Sequence, residues 1–335
     1  GARSGAAAIA HYDALLRDQD FRATAEPDLV LRVGDLPVSK PLRSWLAGLP
    51  GVRQIALDRE ATWQDPDSVL SGSLALDPAA VLGPLAKAGV PTAEEDWLAQ
   101  WRSGDELAAE AILGVLGADA LSEPRVAAEL GVLLGQDATL FVASSMPVRE
   151  IETFWPVRED PPRVLCNRGA NGIDGIVSSA FGAAAGERGP VVLLIGDVAL
   201  AHDIGGLLAA RRLALKLTIV LLDNGGGGIF DFLPVAGNAL ARAEEPETSG
   251  AVRSGEEPDI FTRHIATPTG LDFADAARLY GLEHERAEDV QSLRAALERA
   301  LASEQSAIVE VRGERSENVE LHARVWKAVS DALRV

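Results

Sequence analysis

Apolar runs of strand length alternate with segments of helical periodicity along most of the chain. Asp28–Val33 (DLVLRV) and Val52–Leu57 read as buried strands, with a helix over Lys40–Leu49 between them. Ala93–Gly117 is a long helical stretch rich in Ala and Leu. Ser122 is a candidate N-cap for a helix over Glu123–Leu134, with Pro124 in its first turn. A second series of strands covers Thr139–Ala143, Arg163–Cys166, Val191–Ile195, Leu217–Leu222 and Ala307–Val311. Helices are predicted over Ile176–Gly186, Ile204–Ala214, Phe273–Tyr280 and Val290–Ala302. Strands that alternate with helices imply parallel sheets covered on both faces. The pattern therefore predicts an α/β fold of two doubly wound parallel-sheet domains, residues 1–120 and 121–335. Gly237–Asp259 is rich in Gly, Glu, Pro and Ser without apolar period, and is expected to be a loop.

Composition narrows the function classes. The chain has 335 residues and is 47% hydrophobic, enough for two proper cores. Its formal charge of -19 opposes binding to nucleic acid or anionic lipid. Cys166 is the only cysteine, which excludes a disulfide scaffold or a cysteine-rich zinc site and fits a cytoplasmic enzyme. No apolar run approaches the roughly 18–20 residues of a membrane span. The first residue is Gly1 rather than Met, and a fragment of a longer protein is expected.

The chemistry concentrates between Val191 and Leu233. The run VVLLI ends in Gly196-Asp197, and the run LTIVLL ends in Asp223-Asn224, followed by the four glycines Gly225 to Gly228. Ligands of a parallel sheet bind at the carboxyl ends of its strands, so Asp197 and Asn224 emerge on one edge. A carboxylate, an amide oxygen and a backbone carbonyl of the glycine loop make a hard oxygen site, suited to Mg²⁺ or Ca²⁺. Glycines there permit close backbone approach and left-handed conformations.

The spacing also resembles a known motif. Gly196-Asp197, then 24 residues from Ala199 to Leu222, then Asp223-Asn224 is similar to the cofactor motif of the thiamine-diphosphate-dependent enzymes. The resemblance implies thiamine diphosphate as cofactor, with Mg²⁺ (or Mn²⁺) held by Asp197, Asn224 and the Gly226 carbonyl, and with Gly196 at the same turn. Three more segments, SSMPVR at 144–149, NRGANGIDG at 167–175 and GIFDFLP at 228–234, resemble the branch that acts in menaquinone biosynthesis. That branch decarboxylates 2-oxoglutarate and passes the succinyl unit to isochorismate. Both substrates carry carboxylates, which guanidinium binds through paired hydrogen bonds. The resemblance gives substrate contacts to Arg149, Arg168, Lys40 and Ser145. It makes Ile173 the apolar support of the cofactor, and Ile229, Phe230 and Leu233 an apolar wall beside the reacting centre.

Taken singly, these residues have plainer roles. Either arginine suits a surface ion pair, Lys40 a solvated position, Ser145 a helix N-cap, and Ile229, Phe230 and Leu233 a core. Asp203 suits a helix start, while His264 and His284 look incidental. Gly225 and Asp223 depart from the family pattern, which favours larger polar and amide residues there. The family also has a pyrimidine-binding domain that supplies an activating glutamate. It is expected to precede this chain, so no catalytic residue is assigned within it. The resemblance further implies a dimer or tetramer. Two other readings stay open: another thiamine-diphosphate carboligase or decarboxylase, and a non-catalytic diphosphate-binding module. The first domain lacks a GxGxxG fingerprint for the latter.

Overall fold

In a computed structural model, residues 3–49, 51–62, 65–89, 95–117, 120–167, 172–236 and 259–334 are described. They divide into two packing units, one of residues 6–114 and 326–335, the other of residues 1–5 and 115–325. Arg168 and nearly all of the expected loop 237–259 lie outside the described residues. Among the described residues no helix is long and apolar enough to cross a membrane.

The first unit holds a parallel sheet of β1 (Leu29–Val33), β2 (Arg53–Leu57) and β3 (Gly72–Leu74), side by side in chain order. Helix Lys40–Ala47 joins β1 to β2. It starts where the Ser39 hydroxyl accepts the Leu42 N–H at 3.2 Å, and Pro41 fits its first turn because no N–H is needed there. Ser39 also donates to Asp13 Oδ1 at 2.6 Å. Phe21 and Trp45 meet Trp101 edge-on at centroid distances of 5.0 and 5.8 Å, an arrangement that the ring quadrupoles favour.

The second unit is built on six parallel strands: β4 (Thr139–Val142), β5 (Arg163–Cys166), β6 (Val191–Gly196), β7 (Thr218–Asp223), β8 (Glu283–Ala287) and β9 (Ala307–Arg312). Their order is β5-β4-β6-β7-β9-β8. The central strands are apolar at consecutive positions because both faces are covered. On one face Leu140, Val142, Leu194, Val220 and Val309 pack with Val126 and Leu130 of helix Glu123–Leu133 and Leu293 and Leu297 of helix Val290–Ala302. On the other, Phe141, Leu193, Ile195, Ile219 and Ile308 pack with Ile176 and Phe181 of helix Ile176–Gly186 and Phe273 of helix Phe273–Tyr280.

The predicted strands and helices of this unit are present, with differences of physical origin. The helix expected over Ile204–Ala214 is a 3-10 turn, Ile204–Leu207, followed by the short helix Leu208–Arg212. Gly205 and Gly206 disfavour a continuous helix, and a Cβ on Gly206 would lie 2.8 Å from Ser178 Oγ. β8 was not expected, since its sequence EHERA is polar; it is an edge strand, where polar residues are tolerated. Helices Met146–Phe154 and Arg315–Ala332 were also not predicted.

Two glycines make the packing testable. A Cβ on Gly189 would lie 1.8 Å from the Asp137 carbonyl oxygen, just before β4 and β6 pair, whereas Gly182 has open space inside its helix. Gly189→Ala should lower stability by about 1–3 kcal/mol through overpacking. Gly182→Ala should raise it by about 0.5–1 kcal/mol. Thermal melts of both variants check this, and equal shifts would refute the packing described.

Candidate functional site

In β5-β4-β6 the chain leaves β4 for the outer strand and returns on β4's other side. The turns after β4 and β6 therefore part in opposite directions, which opens a crevice at the carboxyl ends of these strands. Ser144 and Ser145 follow β4, Gly196 ends β6 with Asp197 next, and Asn224 follows β7. These turns converge on one cavity of about 320 Å³, which Glu123, Ile173, Ile229 and Phe230 also line.

Ser145 has φ +70°, an uncommon conformation for a residue with a side chain, and one that clusters at functional sites. It stands at the N-cap position of helix Met146–Phe154 but makes no side-chain cap bond, so capping does not account for it. Arg149 lies one turn further on, and its Nη1 donates to the Ser145 carbonyl at 2.6 Å.

Asp197 is 2% exposed. Burial pushes its carboxyl up from an ordinary 3.8 to about 6, with the Asp223 charge adding, while backbone bonds from Val198 and Gly226 oppose the rise. Asp223 is itself raised by burial and by Glu310, although Arg312 lies 3.6 Å away. Asn224 donates from Nδ2 to Glu123 Oε1 at 2.7 Å. Burial, and then the charge of Glu150, push Glu123 up to about 8. Glu150 is fully buried and receives His322 Nε2 at 3.1 Å from both its oxygens.

Asp197 Oδ2, Asn224 Oδ1 and Glu123 Oε2 are buried with no hydrogen-bond partner among the described residues. Each such orphan costs about 1–3 kcal/mol. Asp197 Oδ2 and Asn224 Oδ1 are oxygen acceptors, the kind of donor that a hard divalent cation requires. The glycine loop is shaped around them. Gly226 has φ +142°, and a Cβ there would lie 2.7 Å from the Ala266 carbonyl. A Cβ on Gly228 would lie 2.8 Å from Asn224 Nδ2. The Gly226 carbonyl accepts the Gly228 N–H at 2.9 Å and keeps its second lone pair. The residues thus fit a divalent ion with a diphosphate. Among the described residues no cluster of three or more His, Cys, Asp or Glu suits a metal; the candidate ligands Asp197, Asn224 and the Gly226 carbonyl include one carboxylate, with Glu123 behind Asn224.

The structure brings Ser145, Ile173, Gly196, Asp197, Asn224, Gly226, Ile229 and Phe230 to this cavity. Leu233 closes the same short turn and is 47% exposed. Lys40 is exposed at the start of its helix in the other unit. His202 lies 3.5 Å from Asp174. Asp203 does serve a helix start, but that of Ile176–Gly186, where its carboxylate accepts the Ser178 N–H at 2.8 Å. Glu123 was missed in the sequence. An acid in the first turn of a helix reads as a complement to the helix dipole, and nothing local reveals that it is buried.

Residues 148–311 match the family model described as thiamine pyrophosphate enzyme, C-terminal TPP binding domain. That segment belongs to the thiamine pyrophosphate enzyme family. Among curated proteins it is similar to three 2-succinyl-5-enolpyruvyl-6-hydroxy-3-cyclohexene-1-carboxylate synthases. That of Chloroflexus aurantiacus is 40% identical over 326 residues, 96% of this chain and 52% of the relative. That of Geobacillus thermodenitrificans is 39% identical over 334 residues, 99% of this chain and 53% of the relative. That of Listeria monocytogenes is 36% identical over 329 residues, 97% and 53%. The chain spans about half the length of the curated relatives it matches.

The buried acid has a measurable consequence. A carboxyl whose folded pKa is raised favours folding below its ordinary value of 3.8 and loses that contribution as pH rises through about 6. The metal-free chain carrying Asp197→Asn should therefore be more stable than the parent at pH 8, by at most about 3 kcal/mol. The advantage should close as the pH falls from 6 to 4. Denaturant melts across this range check it; an equal gap at pH 4 and pH 8 would show that the charge is not responsible.

Proposed function

We propose that this chain supplies the diphosphate-and-metal half of a thiamine-diphosphate site. In the whole protein that site performs decarboxylation of 2-oxoglutarate and succinyl transfer to isochorismate in menaquinone biosynthesis. The observation that carries the reading is the pair of buried acceptor oxygens without partners, Asp197 Oδ2 and Asn224 Oδ1, at the ends of adjacent parallel strands. Asp197, Asn224 and the Gly226 carbonyl would hold Mg²⁺, or Mn²⁺ in its place, with diphosphate oxygens completing the shell. A cation of charge two reverses the local logic, drawing Asp197 and its neighbours into their ionised forms.

Thiamine diphosphate, when bound, supplies an acidic ring carbon that adds to a 2-oxo acid and takes up the electron pair left as CO₂ departs. This chain's own part is to bind and orient. Ile173, Ile229 and Phe230 present apolar surface to the ring and exclude water, and Leu233 extends that surface. Ser145 offers a hydroxyl that no cap bond occupies. Arg149, Arg168 and Lys40 supply cationic partners for the carboxylates of the two substrates. The glutamate that activates the cofactor belongs, in this reading, to a pyrimidine-binding domain preceding the chain. Two copies or more would then assemble so that each site is closed by both kinds of domain. The similarity of nearly the whole chain to the synthases favours these substrates over pyruvate.

The test is succinyl transfer from 2-oxoglutarate to isochorismate with Mg²⁺ and thiamine diphosphate. It is run on this chain and on the chain joined to the N-terminal segment of a matched synthase. Activity is expected only in the joined form. Arg149→Ala in that form should lower kcat/KM by about 10²-fold, the order of one lost charged contact of 2–3 kcal/mol. Equal turnover by the chain alone would mean that the activating acid lies within it.

A further inference from the structure

We propose that Glu123 is a positioning residue for the metal site: it fixes the rotation of the Asn224 amide so that Oδ1 faces the cavity. This rests on the metal-site reading above. An amide has two nearly isosteric ends, one donating and one accepting, and a coordinating asparagine is useful only when oxygen points at the ion. A backbone turn sets the direction of the side chain but not which end leads. That choice must come from a neighbour with a fixed hydrogen-bonding sense.

Glu123 is such a neighbour. Its Oε1 accepts from Asn224 Nδ2 at 2.7 Å, and both side chains are buried, so water does not substitute for the bond. A carboxylate oxygen in that place rejects the amide oxygen by repulsion between lone pairs. If the carboxyl holds a proton on Oε2, Oε1 still accepts, so the sense of the bond is the same in both states. The partnerless Asn224 Oδ1 is the consequence: it is turned away from Glu123, and buried without a donor. Gly228 leaves room for this arrangement, because a Cβ there would lie 2.8 Å from Nδ2. Glu123 itself is anchored by the helix it begins, where the Ser122 hydroxyl accepts the Arg125 N–H at 3.3 Å.

A change that keeps an acceptor at this place should be tolerated, and one that removes it should not. Binding of thiamine diphosphate to the full 335-residue chain is titrated by calorimetry at fixed, near-saturating MgCl₂, and again with MgCl₂ varied. Glu123→Gln, which can present its amide oxygen to Nδ2, is expected to stay within about 3-fold of the parent. Glu123→Leu is expected to weaken the apparent Mg²⁺ affinity by 10-fold or more. A second pair separates orientation from packing. Asn224→Asp sets two carboxyl groups against each other and should bind Mg²⁺ poorly. Adding Glu123→Gln restores one donor–acceptor pair and should recover most of that loss. A structural role alone predicts no such rescue. Unchanged Mg²⁺ affinity in Glu123→Leu, or a double variant no better than Asn224→Asp, would overturn the role of Glu123 while the site reading stands. No Mg²⁺-dependent binding by the unsubstituted chain would overturn both.

Discussion

The second unit depends on one electrostatic constraint: several acids are held out of water at the carboxyl edge of its sheet. Asp197, Glu123 and Glu150 are all buried, and Asp223 lies beside them. Glu150 and Asp197 raise the pKa of Glu123, and Asp223 raises that of Asp197, so the fold carries repulsion, and Asp197 Oδ2 and Glu123 Oε2 have no partner to relieve it. Buried acids that are only partly hydrogen-bonded are among the costlier features a core can hold. They persist here because the surrounding sheet over-determines them. Asp197 and Asn224 sit at the ends of adjacent, fully buried strands, and neither end can move without breaking the ladder between Gly196 and Leu222.

The apolar alternation along the strands sets where those ends fall. Leu194 and Val220 point to one face while Ile195 and Leu221 point to the other, so each strand is pinned from both sides. A slip of one residue would exchange the two faces and carry Asp197 away from Asn224. The reversal of strand order beside β4 then opens the space into which both residues project. Core packing and site geometry are thus one problem, solved by the same strands.

This explains what was legible in the sequence. The central strands read correctly because their continuous apolar runs, bounded by Gly, Asp and Asn, are of strand length and too short for a helix. Asp197, Asn224 and the glycine loop were legible for a related reason: strand ends are the positions that topology brings together. β8 was hidden because an edge strand has no need of apolar residues. Helix Met146–Phe154 was not predicted although Ser145 suited an N-cap; Ser144 and Ser145 form a turn before it, and Pro147 fits its first turn. Phe230 and Leu233 would be core by composition, yet they are 38% and 47% exposed. Glu123 is the opposite case, a charged residue at a helix start that long-range packing has buried. Burial at a separation of 101 residues from Asn224 leaves no local mark.

The cost of the site and its affinity for a ligand are two aspects of the same free energy. A cation that binds the folded chain but not the unfolded one adds stability in proportion to its affinity. In the proposed reading, part of that affinity is relief of the repulsion already present, since Asp197 would no longer take a proton to tolerate its surroundings. The glycine loop contributes in the same sense. Gly226 takes a φ of +142°, which glycine alone adopts readily, and the next residue is tied down before any ligand arrives by the Gly227 N–H bond to the Ala266 carbonyl at 2.7 Å. The ordering cost of the carbonyl is therefore met by the fold rather than by the ligand, which is what preorganisation means for a hard oxygen site. A looser loop would keep more freedom in the free chain, and the cost of ordering it would then fall at the moment of binding.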